Sequence, residues 1–172
     1  MPDPRLLVGL PAALLVAVLA SRRVAAATDC NRFTGFVLAF SVTAILVITL
    51  LPMPPTDGPL EGPRCLIPGL YAFRSGELFR IDDVSLNVVM FVPLGIAVAW
   101  LPPSSRRRVL ALAIALPWVV EGIQLVVPAL GRTCQSVDIT TNLLGLAIGL
   151  VGGLIVRRLA GSGSASGPEP GR

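Results

Sequence analysis

Histidine and lysine are absent from this chain, and charge of any kind is scarce. Only 14% of its 172 residues are charged, where a soluble domain carries about 25%. That shortage excludes an ordinary water-facing surface. A bilayer removes the requirement, because in lipid the outside of a protein can be as apolar as its inside. The lack of histidine takes away the commonest general base. The 14 arginines are the only side-chain cations. They lie between apolar runs and form no stripe interleaved with aromatics, so the net charge of +4 does not point to nucleic acid. Cations at the ends of apolar runs follow from the positive-inside rule instead.

What the chain does have is apolar content, 53% of its residues. A spanning helix needs about 20 mostly apolar residues, within a range of about 17–25. Five runs meet or approach that length: 6–20, 33–51, 84–101, 109–127 and 139–156. The expected fold is all-α, a polytopic transmembrane bundle of about five helices. The first run is the shortest and could also be a cleaved signal peptide, with Arg5 ahead of it and small residues at 24–27. Arg22 and Arg23 directly after it favour a retained helix whose far end is held in the cytoplasm.

The arginines orient the bundle. With the N-terminus outside, nine fall on the cytoplasmic side (22, 23, 32, 106, 107, 108, 157, 158 and 172) and five outside (5, 64, 74, 80 and 132). The reading is therefore N-out, C-in. Residues 1–51 form two N-terminal helices. Residues 52–83, rich in proline and glycine, form an extracytoplasmic loop. Residues 84–156 form a three-helix core, and 157–172 a disordered cytoplasmic tail. Cys65 and Cys134 then lie outside, where a disulfide can persist. A bridge between them and a pair of unpaired thiols stay open as alternatives, because sequence does not give the Cα separation.

Polar residues cluster in the last three helices. Asp83 and Asn87, and again Asp138 and Asn142, are spaced i, i+4 and share a helical face. An aspartate in a first turn also suits the positive end of the helix dipole. Glu121 and Gln124 share a face of the fourth helix. A charge inside an apolar run is costly, about 2.5–3.5 kcal/mol for Asp, Lys or Arg on insertion scales. Such a group usually faces the bundle interior or a wet cavity. Arg132 is its expected partner, with Arg80 second. An arginine there could grip a phosphate or carboxylate with its planar fork. Gly145, Gly149 and Gly153 make a small-xxx-small face for helix packing, and Asp138, Asn142, Gly145, Gly149 and Gly152 fall on one stripe at alternating spacings of four and three. Each amide could instead be interhelical glue, and each aspartate a cap alone.

The ordered set Asp83-x3-Asn87-x3-Phe91-x-Pro93-x-Gly95, Glu121-x2-Gln124 and Arg132-x5-Asp138-x3-Asn142-x2-Gly145 resembles the VanZ-like family of bacterial membrane proteins. It covers the last three helices. The chain departs from the family pattern at Gln135, where members often carry an acidic residue, and this removes a carboxylate that metal binding would use. The resemblance implies a multi-pass protein of the bacterial cytoplasmic membrane. It also implies a role in the cell envelope, with a possible link to glycopeptide (teicoplanin-type) resistance. Asp83, Asn87, Glu121, Gln124, Arg132, Asp138 and Asn142 are the candidate ligand site. The ligand would be lipid-linked or glycopeptide-related, at the outer leaflet of the lipid bilayer. No cofactor or metal is expected. The competing readings are a membrane enzyme acting on a lipid-linked substrate and a small transporter or flippase.

Overall fold

The computed structural model describes residues 4–52, 65–66, 83–132 and 134–163. Five helices account for nearly all of them: α1 (Pro4–Thr28), α2 (Arg32–Leu50), α3 (Asp83–Trp100), α4 (Pro103–Val126) and α5 (Ser136–Gly163). α1, α2, α4 and α5 are long and apolar enough to cross a membrane. Leucines and other large apolar side chains on them point outward, among them Leu15, Leu19, Leu112, Trp118, Val151 and Ile155. In water such a surface would aggregate; in lipid it is the expected exterior. The protein is a polytopic α-helical membrane protein.

The first helix is not the short one. α1 runs 25 residues, because Arg22 and Arg23 continue its last turns with their side chains exposed. The shortest is α3, with 18 residues, about 27 Å at 1.5 Å per residue. It packs along α5, against α2 and on α4. Phe91, Leu94, Ala97 and Val98 of α3 meet Leu38 and Ile45 of α2, Ala113 of α4 and Leu146 of α5 in the core. The other face of α3, with Leu86, Val89, Ile96 and Trp100, is exposed.

α1 and α2 form an antiparallel hairpin. Gly9, Ala13, Ala17 and Ser21 recur every four residues in α1, and the last three are buried. A Cβ on Gly35 of α2 would lie 2.8 Å from the Ser21 carbonyl oxygen. The backbones touch because nothing larger stands between them. Asp29 turns the chain in the left-handed region, at φ 51°, a conformation that aspartate tolerates better than most residues. Buried hydroxyls satisfy themselves locally, as lipid demands: Ser41 donates to Val37 and Thr49 to Ile45, both at 2.7 Å.

α3 and α5 run parallel with their backbones in contact. A Cβ on Gly145 would strike the Val88 carbonyl, and one on Gly149 the Val92 carbonyl. One on Gly153 would crowd Ala99, and in the other direction a Cβ on Gly95 would strike the Leu146 carbonyl. Gly152 meets nothing and is exposed, so it does not belong to the packing stripe on which the four-and-three spacing places it. The offsets are 57 for Val88 with Gly145 and 51 for Gly95 with Leu146, a mean of 54. Asn87 and Asn142 are 55 apart, so they stand at the same depth.

Extended structure among the described residues is one parallel pairing of β1 (Cys65–Leu66) with β2 (Cys134–Gln135). Cys65 and Cys134 are joined by a disulfide, with Cα atoms 4.5 Å apart. It fastens the segment between α2 and α3 to the connection between α4 and α5.

Candidate polar site at the end of the bundle

The sequence places Glu121, Gln124, Arg132, Asp138 and Asn142 at one end of the bundle, and the structure gives main-chain partners to the first three. Glu121 lies five residues before the end of α4 and is 3% exposed. Its Oε2 accepts the backbone N–H of Gln135 at 2.7 Å. The carboxyl therefore holds β2, next to Cys134 of the disulfide. Asp138 and Arg132 are both close enough to act electrostatically on Glu121.

Gln124 and Arg132 perform a second task. An α-helix leaves its last four carbonyls without intrahelical partners. α2 ends at Leu50, so Ile48 and Thr49 are among them. Gln124 Nε2 donates to the Thr49 carbonyl at 3.0 Å, and Arg132 Nη2 to the Ile48 carbonyl at 2.8 Å. A cation also suits the negative end of the α2 dipole. The chain reaches this position through a 3-10 turn at Pro128–Leu130 and Gly131 in the left-handed region, φ 63°. Arg132 thus directs a guanidinium nitrogen to backbone, and the hydrogen bond described at Glu121 comes from Gln135. Arg132 and Glu121 lie within electrostatic reach of each other, and each also bonds to main chain. Arg80, the second choice of partner, lies outside the described residues.

Gln124→Leu leaves the Thr49 carbonyl buried without its donor. It is expected to lower stability by about 1–3 kcal/mol. Thermal unfolding of the detergent-solubilised protein measures this. An unchanged midpoint would mean that the carbonyl finds another donor, and the capping role would fall.

The remaining residues divide. Asp138 sits in the first turn of α5 and is half-buried. Asn142 is 2% exposed, and its Oδ1 has no hydrogen-bond partner among the described residues. Asn87 is half-buried at the depth of Asn142. Asp83 opens α3, and its side chain lies outside the described residues. Gln135 stands beside Glu121 through its own N–H, so an acidic residue at that place would sit beside Glu121. Here none does. Among the described residues no three His, Cys, Asp or Glu side chains form a group that could hold a metal ion.

Two contributors escaped the sequence reading. The carbonyls of Ile48 and Thr49 carry no residue identity, so no motif announces them. At the opposite end Ser105 Oγ donates to the Thr28 carbonyl at 2.6 Å and ties α4 to the end of α1. A serine near the start of an amphipathic run reads as a cap for its own helix, and here it serves another.

These features define a class: a multi-pass helical membrane protein whose helix ends are tied together by a buried polar layer and one disulfide. The chain belongs to the VanZ/LLP1 family, whose model matches residues 13–157. The match takes in α1 and α2 as well as the three helices that carry the motif. No curated protein and no solved structure matches the chain.

Proposed function

We propose that this protein binds a polar head group, from an envelope lipid or an envelope-related ligand, at the Glu121 end of the bundle. The observation that carries the reading is Asn142. A buried acceptor without a donor costs about 1–3 kcal/mol, and native structures rarely keep one without a reason. Asn142 keeps one on the same helix as Asp138, in a layer that also holds Glu121. A hydroxyl or amine of a ligand would satisfy this acceptor, and the carboxyls favour the same donors.

The arginine bias puts this end at the outer leaflet. Membership of the family supports a bacterial cytoplasmic membrane location and a link to the cell envelope, and teicoplanin resistance is the first phenotype to examine. A site at the end of the bundle suits binding better than transport, which more often works at the midplane.

The test uses Asn142→Leu. Replacing an unsatisfied buried amide by an apolar side chain of similar size is neutral or stabilising. The variant is expected to unfold at the same temperature as the wild type or higher, and yet to lose function. Two readouts are needed: teicoplanin susceptibility of a sensitive bacterium expressing each form, and the thermal shift of purified protein on adding envelope lipid extract. Loss of both effects with retained stability supports the site. A variant that behaves as wild type in both assays overturns it. A wild type that shifts with lipid but leaves susceptibility unchanged removes the resistance link alone.

A further inference from the structure

The opposite end of the bundle carries Arg106, Arg107 and Arg108 of α4 with Arg157 and Arg158 of α5. Between these helices opens a cleft of about 620 Å³, lined by Pro103, Arg106, Leu154, Arg157, Arg158 and Gly161. Arg106 donates to the Leu101 carbonyl from Nε at 3.1 Å and from Nη2 at 2.7 Å. Arg157 Nη1 donates to the same carbonyl at 2.9 Å and to the Ala99 carbonyl at 3.0 Å. These carbonyls close α3, so capping accounts for part of each guanidinium.

Capping does not account for the rest. A guanidinium carries five N–H donors. Nη1 of Arg106, and Nε and Nη2 of Arg157, take no part in these bonds. Two cations share one acceptor, a third stands on the cleft wall, and no acid is among the described residues that line it. Like charges gathered this way repel, and an anion between them relieves the repulsion. The backbone bonds also hold two of the forks in place, so little side-chain freedom remains to be lost on binding.

We propose that this cleft binds the phosphodiester head group of an anionic phospholipid. Planar guanidinium forks match phosphate oxygens. The apolar part of the cleft favours a lipid over free phosphate. Leu154 lines it, and Val151 and Ile155, on the same face of α5 as Arg158 at helical spacing, are exposed. An acyl chain can lie along them while the phosphate meets the arginines. The arginine bias assigns this end to the cytoplasmic leaflet, whose anionic lipids attract basic clusters. The proposal is independent of the reading of the Glu121 end.

Native mass spectrometry of the full chain in detergent tests it, with dioleoyl phosphatidylglycerol, dioleoyl phosphatidylcholine and inorganic phosphate as probes. One retained phosphatidylglycerol per chain is expected, with phosphatidylcholine lost at the same collision energy. Arg158→Gln should weaken the adduct by about fivefold, the share of one arginine near a membrane surface. Arg107→Gln removes the same charge from an exposed position of α4 outside the cleft and should leave the adduct intact. Equal retention of the two lipids overturns the proposal. So does equal weakening by the two variants, which would indicate diffuse surface charge. Full displacement of the lipid by millimolar phosphate would assign the cleft to free phosphate instead.

Discussion

Gly149→Leu is expected to break the α3–α5 pair, while Gly152→Ala, three residues further on, does no harm. The two glycines differ in what their missing side chains would meet. At Gly149 a Cβ would strike the Val92 carbonyl, and at Gly152 it would meet nothing within 4 Å. The obstacle at Gly149 is backbone, so no rotamer change relieves it. The helices must move apart, and Gly145 and Gly95 would lose their contacts with Val88 and Leu146 as well. This is the most extensive helix contact in the protein, and Phe91, Leu94, Val98 and Leu146 of the core depend on it. Overpacking costs typically 1–3 kcal/mol, and a leucine against a fixed carbonyl belongs at about 3 kcal/mol or above on that scale. At Gly152 alanine replaces the poorest ordinary helix former with the best, a gain of up to about 1 kcal/mol. Thermal unfolding and size-exclusion profiles in detergent read both. A Gly149→Leu protein that is monodisperse with an unchanged midpoint would show that α3 and α5 do not touch as described.

Removing the disulfide is expected to have the next largest effect. The bridge closes a separation of 69 residues between Cys65 and Cys134. Disulfides typically contribute about 2–4 kcal/mol, more for longer loops. Helices that stay inserted after unfolding have less freedom to recover, which places this one at about 2 kcal/mol, the lower end. Cys65→Ser, Cys134→Ser and the double variant should lose the same amount, because all three remove one bond. The change also frees β2, to which Glu121 is bonded through Gln135. Trypsin should then cut faster at Arg64, the residue before Cys65. A maleimide-PEG assay in denaturant supplies the direct readout. Before reduction only Cys30 is free to react, so one adduct is expected, rising to three after reduction. Three adducts without reductant would remove the bridge. They would also weaken the N-out orientation, since a persistent disulfide implies that both cysteines face an oxidising compartment.

Much of this arrangement was legible in the chain, because helix faces are local. Spacings of three and four residues put Gly145 and Gly149 on one side of α5, and their contacts with α3 follow from having no side chain. Glu121 stood out because a lone carboxyl in an apolar run must be enclosed by protein. The first helix is longer than its apolar run, because the run stops at an arginine while a helix whose hydrogen bonds are internal continues past it. Gly152 lies off the contact and Gly153 on it, because 3.6 residues per turn leaves a stripe of alternating spacing free to drift and only the position of α3 decides between the two.

The chain by itself determined that the protein crosses a membrane with a bundle of apolar helices, and that its polar residues concentrate toward one end. Those properties follow from solvation, which composition and run length report directly. Tertiary structure decided the partners. Arg132 and Gln124 go to the carbonyls that end α2, Arg106 and Arg157 to those that end α3, and Glu121 to the N–H of Gln135. Every one of these acceptors and donors belongs to the main chain, which is the same at each residue. A sequence shows which side chains need a partner in lipid. It does not show which helix end will be close enough to supply one.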